Sequence, residues 1–387
     1  MKRANNNSGR RKLFSWMLGI STILLCGATS AQEKAPIKIG SLWSLTGAAA
    51  QYGIAERDAV AILVDDLNKK GGIGGHQIQI VNYDEATNPI EAARGATQLV
   101  QQHGVVAVMG ASTGSGTLAA APILARSKVP VIVPNATATI TSKEHAFYPW
   151  IFRSVVGDND IVKTIVQQIG ASGAKKLAMF HAEDAYGQDA LKLISLLAPT
   201  LGMEVVATSS SITSATDLSA QATKLRNADP DAVAIVTSSP VLAATFARAS
   251  KQVGLRASLW GGVGLGNKAF INVAGPAAEG VRAVLLANWD EPPPGLARLG
   301  KILMDAGKTP QGIGEPIAAN SLMIIVHALA KNPDAKGDAL RAAIETACGV
   351  KTFAEGEACF SADNHDGVSP VSLVSVVVSD GKFKSAK

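Results

Sequence analysis

The 387 residues allow two or three domains at about 150 residues each, and a chain that is 47% apolar and 17% charged buries sizeable cores rather than remaining disordered. The net charge of +5 sits at one end: Lys2, Arg3, Arg10, Arg11 and Lys12 carry it, no acid precedes Glu33, and the other 31 basic residues balance the 31 acidic ones. A nucleic-acid partner needs a basic footprint on the folded body, and none is expected here.

The basic start leads into an apolar run, Leu13 to Ala28, and then into the small residues Ala28-Thr29-Ser30-Ala31. That order of charge, apolar core and small residues predicts a secretory signal, residues 1–31, cut after Ala31. The apolar run is broken by Ser15, Gly19, Ser21 and Thr22 and falls short of the ~20 residues that span a bilayer. Cys26 raises lipid attachment, although Leu25 stands where a small residue normally precedes a lipidated cysteine. Arg10-Arg11 leaves twin-arginine and general export both open. The expected destination is the periplasm. Two cysteines then remain, Cys348 and Cys359, and in an oxidising compartment a disulfide between them is expected, with two buried free thiols as the alternative.

From Ile37 onward short β-branched runs alternate with helical periodicity. Strands are predicted at Ile37–Leu45, His76–Asp84, Val105–Gly110 and Val129–Pro134, with helices at Ile54–Lys70, Pro89–His103 and Thr117–Ser127 between them. A second run follows, with helices predicted at Ile161–Ile169, Asp184–Leu197, Leu218–Asn227 and Val241–Val253. Its strands are Lys175–His181, Glu204–Ile212, Ala232–Ser238 and Ser258–Gly261. Strands separated by helices of this length predict an α/β fold of two doubly wound parallel-sheet lobes. After Pro294 come three helical stretches and a β-rich tail, Val368–Phe383, too small for a domain and expected to join an existing sheet.

Gly110-Ala-Ser-Thr-Gly114-Ser-Gly116 follows a buried strand and opens a helix. It mimics a dinucleotide-binding turn, but the Tyr-x-x-x-Lys pair of short-chain dehydrogenases is missing: Tyr52, Tyr83, Tyr148 and Tyr186 are followed four residues on by Glu56, Thr87, Phe152 and Ala190. What such a turn retains is close backbone approach and free N–H groups at a helix start, which suit a carboxylate. His181-Ala-Glu183-Asp184 reads as a helix cap with solvated charge, and Asp363, Asp366 and Gly367 as a turn. The six histidines form no metal-ligand spacing, and no nucleophile–base pair, metal site or cofactor motif stands out. No enzymatic activity, cofactor or metal is expected.

Further segments carry a resemblance. Ile37-Lys-Ile-Gly-Ser-Leu-Trp-Ser-Leu-Thr-Gly, Ala50-Gln-Tyr-Gly53, the glycine-rich Asn68–Val81, Tyr83–Pro89, Pro134-Asn-Ala-Thr137, Asp184-Ala-Tyr-Gly187 and Ala274–Gly280 fall in order along nearly the whole mature chain. Together they resemble the periplasmic receptors of the leucine/isoleucine/valine-binding type. The resemblance implies the type I architecture, in which three crossings join two lobes, a small ligand binds between them, and an ABC-type permease receives it. On this basis lobe 1 comprises 36–156 plus 287–368, lobe 2 comprises 157–286 plus 369–387, and a monomer is expected.

Residue by residue, the resemblance assigns Gly114 and Ser115 to an anion-holding turn, Thr137 to a side-chain donor and Asn135 to a backbone contact. Tyr52 and Tyr186 match aromatic walls from opposite lobes. The departures are as informative. Thr87 and Thr113 replace a family disulfide, Ser239 replaces an aromatic, and Val263 stands where amino-acid receptors place the glutamate that holds the ligand ammonium. The expected ligand is therefore a small carboxylate-bearing molecule, and the missing glutamate favours one that lacks an α-ammonium. It could instead be an amino acid served by another acid such as Glu315 or Asp290, or an amide- or urea-type ligand read by a sensor.

Overall fold

A computed structural model describes residues 34–387 except 136, 354–355, 369–372 and 387, and the side chains of 138 and 263 also lie outside it. The expected export signal falls outside the described residues. Among the described residues no helix is long and apolar enough to cross a membrane.

The chain opens with β1 (Lys34–Trp43), α1 (Ala50–Lys69), β2 (His76–Asp84), α2 (Pro89–Gln101) and β3 (Ala107–Gly110). It continues through α3 (Gly114–Arg126), β4 (Val131–Val133) and β5 (Ile151–Arg153). These five strands pair in parallel in the order β2-β1-β3-β4-β5. The chain then crosses into α4 (Asp158–Ala171), β6 (Lys176–Ala182), α5 (Ala185–Thr200), β7 (Glu204–Ser211) and α6 (Ser219–Asn227). Next come β8 (Ala232–Val236), α7 (Pro240–Gln252), β9 (Ser258–Gly261), α8 (Lys268–Ala274) and β10 (Arg282–Leu285). Its parallel part runs β7-β6-β8-β9-β10, which repeats the strand order of the first sheet.

The chain returns through α9 (Pro294–Asp305), α10 (Gly314–Ala330), α11 (Asp338–Glu345) and the short hairpin β11 (Val350–Lys351) and β12 (Glu357–Ala358). It ends in β13 (Val374–Ser379) and β14 (Lys382–Ser385). The tail joins the second sheet, β13 pairing antiparallel with β10 from Arg282↔Val377 to Leu285↔Val374. Val376, Val378 and Phe383 bury their side chains in that lobe's core.

Both sheets are covered on both faces, which is why their central strands read as unbroken apolar runs: β3 and β8 are buried at every position. Each fully buried Val, Ile or Leu contributes about 1.5–3 kcal/mol. The turn between α1 and β2 needs its glycines. Gly71, Gly72, Gly74 and Gly75 all have positive φ, and a Cβ on Gly72 would lie 1.9 Å from the carbonyl oxygen of His76. Asn68 closes the same turn by accepting from the Ile78 amide at 2.7 Å and donating to its carbonyl at 2.9 Å.

β5 lies beside the segment around His365 and Asp366 that follows the hairpin. The Arg153 amide donates to the carbonyl of His365 at 2.9 Å, and the His365 ring stacks between Tyr148 and Phe152 at 4.0 and 4.1 Å. Cys348 and Cys359 are joined by a disulfide that brackets the β11–β12 hairpin. β5, β10 and α8 were not predicted from the pattern. The two strands span three and four residues, too few to carry a period of two.

Candidate functional site

In an open parallel sheet, ligands bind beyond the carboxyl ends of the strands, where neighbouring connections leave in opposite directions. Here that point falls between β1 and β3 in one sheet and between β6 and β8 in the other. A cavity of about 260 Å³ opens where the two meet. Ala48 and Ala49 after β1 and Ser112 to Ser115 after β3 line one side, and Glu183, Asp184 and Tyr186 after β6 and Ser238 and Ser239 after β8 line the other. Leu286, Ile313 and Ile317 add apolar wall.

Three of these wall residues are helix caps, so helix starts converge on the cavity. Thr113 accepts from the Gly116 amide at 3.1 Å, Asp184 from Gly187 at 2.8 Å, and Ser239 from Leu242 at 3.2 Å. Gly114 and Ser115 are the first two residues of α3, and their N–H groups have no partner within the helix by position. Thr137 lies against them. A Cβ on Gly114 would sit 2.1 Å from the Thr137 hydroxyl, so the glycine is what admits that side chain. The Thr137 hydroxyl makes no hydrogen bond among the described residues. Asn135 donates to the Ala111 carbonyl and the Thr117 hydroxyl, both at 2.9 Å, and so braces the two loops that form this wall. Tyr52 and Tyr186 are buried at 5% and 7% exposure and come from α1 and α5. The Tyr186 hydroxyl has no hydrogen-bond partner among the described residues.

Tyr52, Gly114, Ser115, Asn135, Thr137, Tyr186 and Ser239 thus lie around one cavity. Val263 opens a short turn after β9, and its side chain is outside the described part of the structure. The acids differ from the expectation. Glu315 accepts from the amides of Gln311 and Gly312 at 2.6 and 3.2 Å, while Asp290 accepts from Phe383 at 2.9 Å, and neither lines the cavity. Four carboxyls that sequence reasoning did not assign to a ligand do line it: Glu56, Asp158, Glu183 and Asp184. Glu183 and Asp184 were expected to be a cap with solvated charge. Asp184 does cap α5, but it also faces the cavity, and burial raises its pKa. Among the described residues the lining contains no lysine, arginine or histidine.

Burial pushes the Glu56 carboxyl up to about 8, with Ser112 as its hydrogen-bond donor and the neighbouring Glu85 and Glu315 adding to the rise. Glu85, held by the Ser44 hydroxyl at 2.8 Å, is likewise pushed up to about 8 by burial. Arg153 is fully buried behind this wall. It donates to the Thr137 carbonyl at 2.7 Å and the Thr141 hydroxyl at 2.6 Å, and lies 3.4 Å from the Asp366 carboxylate.

A family model described as periplasmic binding protein matches residues 36–382. The chain belongs to that family. This periplasmic binding protein is 31% identical over 330 residues to the leucine-, isoleucine-, valine-, threonine- and alanine-binding protein of Pseudomonas aeruginosa, covering 82% of its own length and 86% of the relative's. Its fold is similar to that of a branched-chain amino acid transporter substrate-binding protein from Streptococcus pneumoniae solved with isoleucine, with a TM-score of 0.81, 24% identity, and 90% and 98% of the two chains covered. It is also similar to a solute-binding protein from Rhodopseudomonas palustris solved with benzoate, with a TM-score of 0.80, 22% identity, and 90% and 95% covered. The architecture is therefore the type I periplasmic binding protein fold, two α/β lobes with predominantly parallel sheets. The family consists of solute-binding receptors.

Proposed function

We propose that this chain is an exported solute receptor, working as a monomer in the periplasm. It binds a small carboxylate-bearing molecule, an amino acid or a deaminated or aromatic acid, and hands it to an ABC-type permease. The observation that carries the reading is the wall of Gly114, Ser115 and Thr137, where free helix-start amides and an unengaged hydroxyl point to an anion at a cavity that both lobes line. The P. aeruginosa relative, named for five amino acids, supports the ligand size and class. Tyr52 and Tyr186 wall the ligand from opposite lobes, Asn135 contributes backbone, Ser239 adds to the second lobe's side, and Val263 is the ligand position that the resemblance assigns after β9. The work is binding and closure rather than turnover. A ligand that touches both lobes favours the closed state because only there are all its contacts made.

A thermal-shift screen with amino acids, aliphatic and aromatic carboxylates, and amides tests the proposal. A ligand at 100 times its dissociation constant adds about 2.7 kcal/mol to stability, so carboxylates of the right shape raise the melting temperature by several degrees. A response confined to amides, or none at all, would remove the carboxylate reading.

A further inference from the structure

Asp158 is the first residue of α4, on the lobe facing the Gly114–Thr137 wall. Its side chain lines the cavity, yet the residue is only 5% exposed. Its carboxyl makes no hydrogen bond or ion pair among the described residues. The positive charge acting on it is Arg153, whose two Nη groups face Thr137, Thr141 and Asp366 and which lies beyond ion-pair distance of it; its Nε has no hydrogen-bond partner among the described residues. Asp184 and Asp189 act on it with the same sign of charge. Beside it the hydroxyl of Tyr186 is also orphaned, and the two groups interact electrostatically. A buried carboxyl without a partner and a buried phenol without a partner are each costly, and structures normally satisfy both. Two such groups on one cavity wall mark the place of a ligand group that donates hydrogen bonds and carries positive charge.

We infer that Asp158 and Tyr186 hold a cationic nitrogen of the ligand, so that the receptor takes amine-bearing carboxylates whose two charged ends are gripped by different lobes. This rests on the carboxylate reading above and narrows it. The second charge partner comes from the start of α4 rather than from the position after β9 that Val263 occupies. Ligand closure then has a definite electrostatic cause. The anion is met by the α3 start on one lobe and the cation by Asp158 on the other, and neither lobe alone satisfies both.

The test uses the mature protein, its Asp158→Asn and Tyr186→Phe variants, and matched probe pairs. The pairs are L-leucine with 4-methylpentanoate, L-valine with 3-methylbutanoate, L-alanine with propanoate, L-phenylalanine with 3-phenylpropanoate, and 4-aminobutanoate with butanoate. Calorimetry should show the wild type preferring the amine-bearing member of at least one pair. Asp158→Asn should lose that preference, with amine affinity falling at least tenfold and affinity for the amine-free member unchanged or higher. Tyr186→Phe should weaken the same member by a smaller factor. The ligand-free Asp158→Asn protein should melt no lower than the wild type, because an unpartnered buried carboxyl has been removed; a purely structural role would lower it. Binding of only the amine-free members by the wild type overturns this inference and leaves the carboxylate reading intact. Retention of the amine preference in Asp158→Asn also overturns it. Binding of no probe of either kind overturns both.

Discussion

The guanidinium of Arg153, on the strand that leads out of the first lobe, donates a 2.7 Å hydrogen bond to the carbonyl of Thr137 in the cavity wall. A second donor reaches the Thr141 hydroxyl, and the charge faces Asp366 in the segment that follows the hairpin. One buried cation thereby ties β5 and that segment to the loop that carries the proposed anion donor. Hydrogen bonds to charged groups contribute about 1.5–3 kcal/mol each. Arg153→Met should therefore lose stability on the order of 3 kcal/mol in urea unfolding. It should also weaken ligand binding, because the 134–141 loop loses its anchor. Stability and affinity both within error of the wild type would show that the anchor is not needed.

Much of the fold was legible because its strands are buried on both faces and its helices carry an apolar stripe, so the two periodicities alternate clearly along the chain. The wall residues Gly114 and Thr137 were also legible as a resemblance. What the sequence could not show was which acids face inward. Glu56 lies on a helix among charged neighbours and reads like any solvated residue, yet it is 1% exposed and takes a hydrogen bond from Ser112, 56 positions away. Asp158 looks like an ordinary acidic first turn of α4. Its burial comes from packing between segments far apart in sequence, which no local pattern records. β5 and β10 escaped for a simpler reason, their length.

At the anion end, Thr137→Ala removes a hydroxyl that makes no internal hydrogen bond, so the melting temperature of the ligand-free protein should hardly move. Affinity for any carboxylate found to bind should fall about tenfold to a hundredfold, the value of one charged hydrogen bond. Gly114→Ala should act in the same direction, because its Cβ would stand 2.1 Å from the Thr137 hydroxyl and must displace it. Isothermal titration of both variants reads these changes. An unchanged dissociation constant in Thr137→Ala would mean that the carboxylate is held elsewhere.

The Cys348–Cys359 bridge closes a short loop around β11 and β12, and on the chain-entropy model such a closure adds on the order of 3 kcal/mol. Protein purified from an oxidising compartment, unfolded without reductant, should show essentially no free thiol between these two residues. The double variant Cys348→Ser/Cys359→Ser should melt several degrees lower while binding its ligand normally, since the hairpin does not line the cavity. Two titratable thiols in the oxidised protein would exclude the bridge.

The buried acids in and behind the cavity wall give the ligand-free protein a pH dependence of defined sign. Glu56 and Glu85 hold their protons in the fold up to about pH 8, against an ordinary value of 4.5, because burial disfavours the charged form. Below pH 4.5 both the folded and the unfolded chain keep these protons, and the stabilisation is fully present. As pH rises from 4.5 the unfolded chain releases them first, and stability falls until the folded carboxyls also ionise near pH 8. His145 and His365 have lowered pKa values through burial, and their effect runs the other way but is confined to pH below about 6.5. The window from pH 6.5 to 8 therefore lies above the histidine effect, and Asp158, Asp184 and Glu315, whose pKa values burial also raises, act there with the same sign as the two glutamates. Melting temperatures should drop steadily across it, and Glu56→Gln, which keeps a partner for Ser112 without an ionisable proton, should flatten the drop. A wild-type melting temperature that rises over the same window would show that these carboxyls are ionised in the fold.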